Sequence, residues 1–296
     1  MKGEAYLDII IVNFNSTDYL LPCLRSVCDS LWDFPANIFV QDNASNDNID
    51  RVTITFPQVI LSKSKHNRGF SKAVNDALTK SNAPYVVILN PDTYVKENFF
   101  ASVTGYMAEH LDIGIMGPKI LDPGGEVQGS ARSFPTPLTA FFGRRTILSK
   151  LFPKNRISSQ NILTTKSDGI TPMEVDWVSG ACMVVRRKAI ETVGLLDERF
   201  FMYWEDADWC RRMRNAGWKV VYFPMASIVH HVGGSAEKLM FRPFLEFHKS
   251  CYRLFYKHNN DLYLRLAKPF VFSGLVVRFC GILILHLLRS CFVGRT

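Results

Sequence analysis

A chain of 296 residues with 47% hydrophobic and 12% aromatic side chains can bury a large core, which excludes an intrinsically disordered protein. Its net charge of +8 sits wholly in the tail: residues 1–237 hold 25 basic and 25 acidic side chains, whereas residues 238–296 set ten Lys/Arg against only Glu246 and Asp261. A neutral body argues against a general nucleic-acid binder, and seven scattered cysteines without a CxxC pair leave no zinc ribbon or dithiol motif and read as reduced thiols.

The opening MKGEAYLDIIIVNFN has acids flanking its apolar run and no small-residue cleavage site after it. It reads as a first strand over 7–12 and not as a signal peptide. A helix is expected over 19–31, strands over 38–41 and 59–62, and a helix over 70–81. A strand over 85–89, a helix over 97–109 and a strand over 113–117 follow. Strands alternating with helices predict parallel βαβ units. Polar loops follow the strands at 13–17, 42–47 and 90–93. Ligands of open α/β sheets sit at strand carboxyl ends, so the three loops are expected to meet at one crevice. The turn after the first strand reads VNFNST with no GxGxxG, which argues against a dinucleotide-binding oxidoreductase.

Residues 127–167 hold seven Lys/Arg and no acid, interleaved with Phe134, Phe141, Phe142, Leu148, Leu151 and Phe152. Gly and Pro punctuate the start, so an irregular insertion is expected. It reads either as a solvated basic loop or as a flap meeting acceptor phosphates or a membrane. From Pro269 the chain becomes greasy, interrupted by Arg278, His286 and Arg289. That pattern falls short of about 20 uninterrupted apolar residues and predicts an interfacial helix; a helix packed on the domain or at a dimer contact is the alternative. Anionic lipid attracts each nearby Lys/Arg by about 1 kcal/mol, so the charge asymmetry favours a membrane surface.

Three segments carry the chemistry. Asn90-Pro91-Asp92 ends an apolar strand and leaves Asp92 at its tip, where a carboxylate can serve a magnesium or manganese ion together with substrate phosphates. Asp42-Asn43-Ala44-Ser45-Asn46-Asp47 offers an acid and amides suited to a nucleoside, and His66-Asn67-Arg68-Gly69 precedes a helix whose N-terminus suits an anion. Taken singly, each reads equally well as a turn or helix cap. Finally, Phe201 to Arg212 sets Glu205, Asp206 and Asp208 beside four aromatics at the start of a helix running to Ala216. Acids there compensate the helix dipole, or, walled by aromatics, become a base of raised pKa.

The ordered set IIIVNFNS, QDNASND, NRGFSKAVN, NPD, DWVSGACMVVRR, GLLDERFFMYWEDADWCRR and HHVGGS resembles the family-2 glycosyltransferases of GT-A fold, and within them the bacterial rhamnosyltransferase branch. The resemblance spans about residues 7–260. It implies an α/β Rossmann-like mixed sheet as a transferase domain over 1–261; the basic, greasy segment over 262–296 reads from its composition as a membrane-associating tail. It implies donor contacts from Asn15, Asp42, Asn67, Arg68, Gly69 and Asn90, with Asp92 matching the last acid of the metal-binding DxD motif and Asn90 replacing the first. Asp206 matches the catalytic base, while Trp177, Gly180 and Glu205 are implied on the acceptor side. His230 or His231 remains as a further metal or diphosphate contact, and the spacing to Ser235 favours His230. The implied activity is inverting transfer of a sugar, best L-rhamnose from dTDP-L-rhamnose, with Mg2+ or Mn2+, onto a lipid-linked or polysaccharide acceptor. The implied place is the cytoplasmic face of the inner membrane. A UDP-sugar donor and a non-catalytic, membrane-docked scaffold are the alternatives.

Overall fold

The structure is a computed structural model that describes residues 5–31, 34–135, 161–231, 241–259 and 261–293, with side chains to residue 284. The basic insertion's central residues 136–160 lie outside the described residues, as do 232–240.

The chain opens with β1 (Leu7–Asn13), α1 (Thr17–Leu31), β2 (Ala36–Asp42), α2 (Arg51–Thr55), β3 (Ile60–Lys63), α3 (Phe70–Leu78) and β4 (Tyr85–Leu89). β3, β2, β1 and β4 pair in parallel, as the alternating pattern predicts. All seven β1 residues are buried, because helices cover both faces of a parallel sheet and leave no side of the strand in water. One face buries Ile9 and Ile11 under Leu20, Leu24 and Val27 of α1; the other buries Ile10 and Val12 against Ala73, Val74 and Ala77 of α3. Each of the Ile, Leu and Val side chains contributes about 1.5–3 kcal/mol.

The second half mixes directions. β5 (Thr93–Val95), α4 (Phe99–Glu109), β6 (Ile113–Leu121) and β7 (Ala131–Arg132) are followed by β8 (Met173–Glu174), β9 (Trp177–Val178), β10 (Cys182–Arg186), α5 (Arg187–Val193), α6 (Glu205–Asn215) and β11 (Lys219–His230). The sheet order is β3-β2-β1-β4-β10-β6-β11-β5, with β8 beside β11, while β7 and β9 form a small second sheet. β10 runs antiparallel between β4 and β6. β6 passes through Pro118, where the sequence pattern stops at 117. Pro118 pairs with Phe223 next to a register shift in β11, and a bulge is where a strand tolerates a residue that cannot donate.

Register brings the business ends together. Asn13 pairs with Asp42 and Ile11 with Leu89, and Cys182 starts β10 opposite Leu89. Two helices, α7 (Phe241–His258) and α8 (Leu262–Val293), close the described chain. Within α8, Leu262–Ile284 has a mean hydropathy of 1.7 and is long and apolar enough to cross a membrane. Val271 and Leu275 pack against Cys251 of α7, whereas Leu262, Leu266, Phe270 and Val277 are exposed. Cys23, Cys28, Cys182, Cys210, Cys251 and Cys280 are free thiols.

Candidate active site

The loops after β1 and β2 are laced by amides. Asn13 donates to Oδ1 of Asp42 at 3.2 Å and to the Ser45 hydroxyl at 3.0 Å. Ser45 returns its backbone N–H to Oδ2 of Asp42 at 3.1 Å. Asn15, in the left-handed region, accepts the N–H of Asn46 at 2.7 Å and donates its own to Ser45 at 2.9 Å. Asn43 reaches the next loop: it donates to Asn67 at 2.9 Å and to the Gly69 carbonyl at 3.2 Å, and accepts the Arg68 N–H at 3.0 Å. The Arg68 guanidinium pairs with Asp76 on the rim of a pocket of about 530 Å³ that Lys63, Lys65, His66 and Lys80 also line.

Gly69 joins this donor-side loop to the aromatic corner. Its φ is +87°, and a Cβ there would stand 2.5 Å from the Phe201 carbonyl oxygen, the oxygen that accepts the Phe70 N–H at 2.7 Å. Only glycine fits such an approach.

Beyond β4, the Asn90 N–H donates to the Ala181 carbonyl at 3.0 Å. Asp92 is 5% exposed, and its Oδ1 accepts no hydrogen bond. His230 Nε2 lies 3.3 Å from that oxygen. Gln128 donates to the His230 carbonyl at 2.8 Å, which turns its Oε1 toward His230 Nδ1 at 3.2 Å. In the neutral ring Nδ1 therefore carries the hydrogen, and the Nε2 lone pair faces the Asn90 amide at 3.4 Å as well as Asp92. The buried, undonated Asp92 Oδ1 and this imidazole nitrogen are both atoms that can ligate a cation. This donor set fits a divalent ion that keeps substrate phosphates as its other ligands; among the described residues no group of three or more His, Cys, Asp or Glu converges to hold one unaided. His231 turns outward, its ring 6.2 Å from Tyr19, and contributes only its N–H, to the Asp92 carbonyl at 2.9 Å.

Asp206 opens the first turn of α6. Its Oδ2 accepts the Gly180 N–H and its Oδ1 the Ala207 N–H, both at 2.8 Å. Burial raises the Asp206 carboxyl above its ordinary range, against the pull of those two donors and the Arg132 charge. Neighbouring Glu205 is buried with Oε2 unpartnered. Burial first, and the Asp206 charge second, push it well above its usual range. Tyr203 and Trp204, just upstream, both have φ of +68°. Backbone strain of about 1–3 kcal/mol per such residue gathers where a side chain must be aimed. The Trp204 ring lies 5.8 Å from that of Trp177 and 5.6 Å from that of Phe247; Trp177 anchors its indole N–H on the Ser133 carbonyl at 3.0 Å.

The third acid of the cluster does other work. Asp208 is fully buried and accepts from His258 at 2.6 Å and Arg212 at 2.9 Å, with Lys257 at 2.7 Å. Burial alone would raise its carboxyl, but these partners together hold it below the usual range. It fastens α7 to α6 and stays out of the cleft. Two residues outside the expected set join the site: Gln128, which fixes His230, and Arg132, whose guanidinium lies 5.2 Å over the Trp177 ring. Both fall in the basic insertion, where sequence showed charge but no partner.

The arrangement offers a cation-binding pair and a donor-flanked carboxylate either side of the 179–182 turn, at the carboxyl edge of a mixed sheet. A mannosyltransferase from Pyrobaculum calidifontis, solved with GDP-Man and Mn2+, shares this fold with a TM-score of 0.58 and 14% identity, over 97% of this chain and 80% of that one. The fold is thus of the GT-A type. The chain belongs to glycosyl transferase family 2, whose family model matches residues 8–194. It is similar to the N-acetylglucosaminyl-diphospho-decaprenol L-rhamnosyltransferase of Mycobacterium tuberculosis, with 29% identity over 83% of this chain and 82% of that protein. It is also similar to a dTDP-rhamnosyl transferase of Shigella flexneri, with 23% identity over 81% of this chain and 73% of that one.

Proposed function

We propose that this glycosyltransferase moves L-rhamnose from dTDP-L-rhamnose, with inversion, onto a hydroxyl of a lipid-linked diphosphate sugar in cell-envelope glycan synthesis. The observation that carries the reading is the junction at residues 179–182: Ala181 holds the Asn90 backbone while Gly180 holds the Asp206 carboxylate, which ties the proposed metal side to the proposed base side through adjacent residues. The Mycobacterium and Shigella relatives, both rhamnosyltransferases, support rhamnose, and the former, which acts on a diphospho-decaprenol-linked sugar, supports a lipid diphosphate acceptor.

In this reading Asp206 accepts the proton of the acceptor hydroxyl as its oxygen attacks the anomeric carbon. The new C–O bond forms opposite the departing nucleoside diphosphate, and the proton ends on Asp206. Base catalysis of this kind contributes about 10²–10⁴-fold. The N–H groups of Gly180 and Ala207 orient the carboxylate, and the rings of Trp177 and Trp204 keep water from the nucleophile. Asp92 and His230 would hold a divalent ion, Mg2+ or Mn2+, which neutralises charge on the leaving diphosphate. Asn15, Asp42, Asn67, Arg68, Gly69 and Asn90 line the donor side; Trp177, Gly180 and Glu205 line the acceptor side. The body over 1–261 works at the cytoplasmic face of the inner membrane, to which the tail over 262–296 binds through the exposed face of α8.

A thermal-shift panel of nucleotide sugars with and without Mn2+ tests this, since a ligand that binds only the folded chain raises its melting temperature. dTDP-L-rhamnose with Mn2+ should give the largest shift. A larger shift with a UDP-sugar overturns the donor assignment, and no shift with any sugar overturns the donor site.

A further inference from the structure

One arginine is out of place by every rule that governs the tail. Arg278 lies on the inner stripe of α8 with Val271 and Leu275, not on the exposed one. Its guanidinium stands 5.9 Å over the Phe247 ring, and its Nε is buried without a hydrogen bond. No acid pairs with it among the described residues: Glu246, the one acid of α7, pairs with Lys249 at 3.1 Å. Arg278 is half-buried with its Nε desolvated and unpartnered, and an apolar side chain would fill the same seam at lower free energy. A second polar group faces the same seam unpaired. His248 is 6% exposed; its Nδ1 meets the Phe244 carbonyl at 2.9 Å, and its Nε2 has no partner. Burial, and after it the Arg278 charge, hold this imidazole below its usual range; with Nδ1 donating to the Phe244 carbonyl, its Nε2 is left as a lone pair, so Arg278 is the group at this seam that attracts an anion.

The seam's location says which anion. Phe247, under Arg278, has its ring 5.8 Å from Tyr203 and 5.6 Å from Trp204, and Trp204 immediately precedes Glu205 and Asp206. On the opposite side of α8 lies the apolar stripe of Leu262, Leu266, Phe270 and Val277. A guanidinium between an apolar helix face and the catalytic corner matches a phosphate that has a lipid on one side and a sugar on the other; the planar fork of arginine suits phosphate oxygens. We propose that Arg278 forms a phosphate site at the α7–α8 seam that holds the diphosphate of a lipid-linked acceptor while its sugar reaches Asp206. The site rests on the lipid-linked reading of the acceptor given above.

The test needs no turnover. The full chain is partitioned onto phosphatidylcholine vesicles that are plain, doped with decaprenyl diphosphate, or doped with phosphatidylglycerol to equal charge. Decaprenyl diphosphate should tighten wild-type binding roughly tenfold, the scale of one charge-assisted hydrogen bond, and phosphatidylglycerol much less. Arg278→Gln should remove that gain while partition onto plain vesicles stays as in wild type; Arg278→Lys should keep part of it, and a melting curve checks that each variant folds. A gain that survives in Arg278→Gln overturns the site and leaves the acceptor reading standing. No gain in wild type overturns the acceptor reading and the site with it. An equal gain from phosphatidylglycerol overturns the diphosphate assignment in favour of a bulk headgroup.

Discussion

Gly180 donates its backbone N–H to Oδ2 of Asp206 at 2.8 Å. That bond ties the first turn of α6 to the residues that enter β10, and β10 enters beside the end of β4. The position of Asp206 relative to Asp92 is thus set by backbone, through Gly180, Ala181 and Asn90, and not by mobile side chains. Such a frame would hold the proposed base and the proposed cation site at fixed separation, which an in-line displacement requires.

Asp92 and His230 are expected to act together on the metal. Asp92→Asn and His230→Ala should each weaken Mn2+-dependent donor binding by roughly tenfold or more, and Gln128→Ala by a smaller factor, since it only fixes the imidazole. Calorimetric titration of nucleotide sugar with and without Mn2+ measures this. An Mn2+ increment unchanged in both Asp92→Asn and His230→Ala would remove the pair from the site.

Gly69→Ala should lower stability by about 2 kcal/mol or more, because the new Cβ meets both a left-handed backbone and the Phe201 carbonyl. Gly125 supplies the comparison: its φ is +88° but nothing lies within 4 Å of a Cβ, so Gly125→Ala should cost only about 1 kcal/mol. Denaturant unfolding of both variants checks the difference, and equal losses would show that the Phe201 contact yields easily.

Glu205 imposes a pH dependence on stability. Its folded-state carboxyl is raised well above 4.5, so over the range upward from about 4.5 the folded chain holds a proton that the unfolded chain has released. Stability therefore falls as pH climbs through that range. Glu205→Gln removes the effect: its melting temperature should gain on wild type more at pH 8 than at pH 5. Melting curves that run parallel across this range would mean that Glu205 ionises as readily folded as unfolded.

The exposed face of α8 is expected to hold the chain on membranes. Phe270→Glu with Val277→Glu leaves the packed stripe of Val271 and Leu275 intact and should shift the protein from the membrane pellet to the supernatant. Unchanged pelleting would place the attachment elsewhere.

The first half of the fold is legible in sequence because its strands are buried on both faces and its helices are amphipathic; the strand over 85–89 matches to the residue. The misses have long-range causes. α1 starts at Thr17, not at 19, because the Asp47 carboxylate, 30 positions away, accepts the Thr17 N–H at 2.8 Å. α3 ends at Leu78, short of 81. The antiparallel β10 hides in a run already used for motif reading, and nothing local says which strands flank it. At the site, residue types and order pointed to Asp42, Asp92 and Asp206. Separating Asp208 from its two acidic neighbours required His258 and Lys257; the spacing to Ser235 already favoured His230 over His231, and Gln128 is the partner beside its ring that the sequence did not reveal. Those partners come from elements far along the chain.

Kinetics of Asp206→Asn with a lipid-linked diphosphate sugar as acceptor test the central claim most directly. The amide keeps the size of the carboxylate but cannot take a proton. Turnover should fall by about 10²–10⁴-fold while nucleotide-sugar affinity stays within twofold or threefold of wild type. Turnover within about tenfold of wild type would contradict the role of Asp206 as the base, and with it the proposed mechanism.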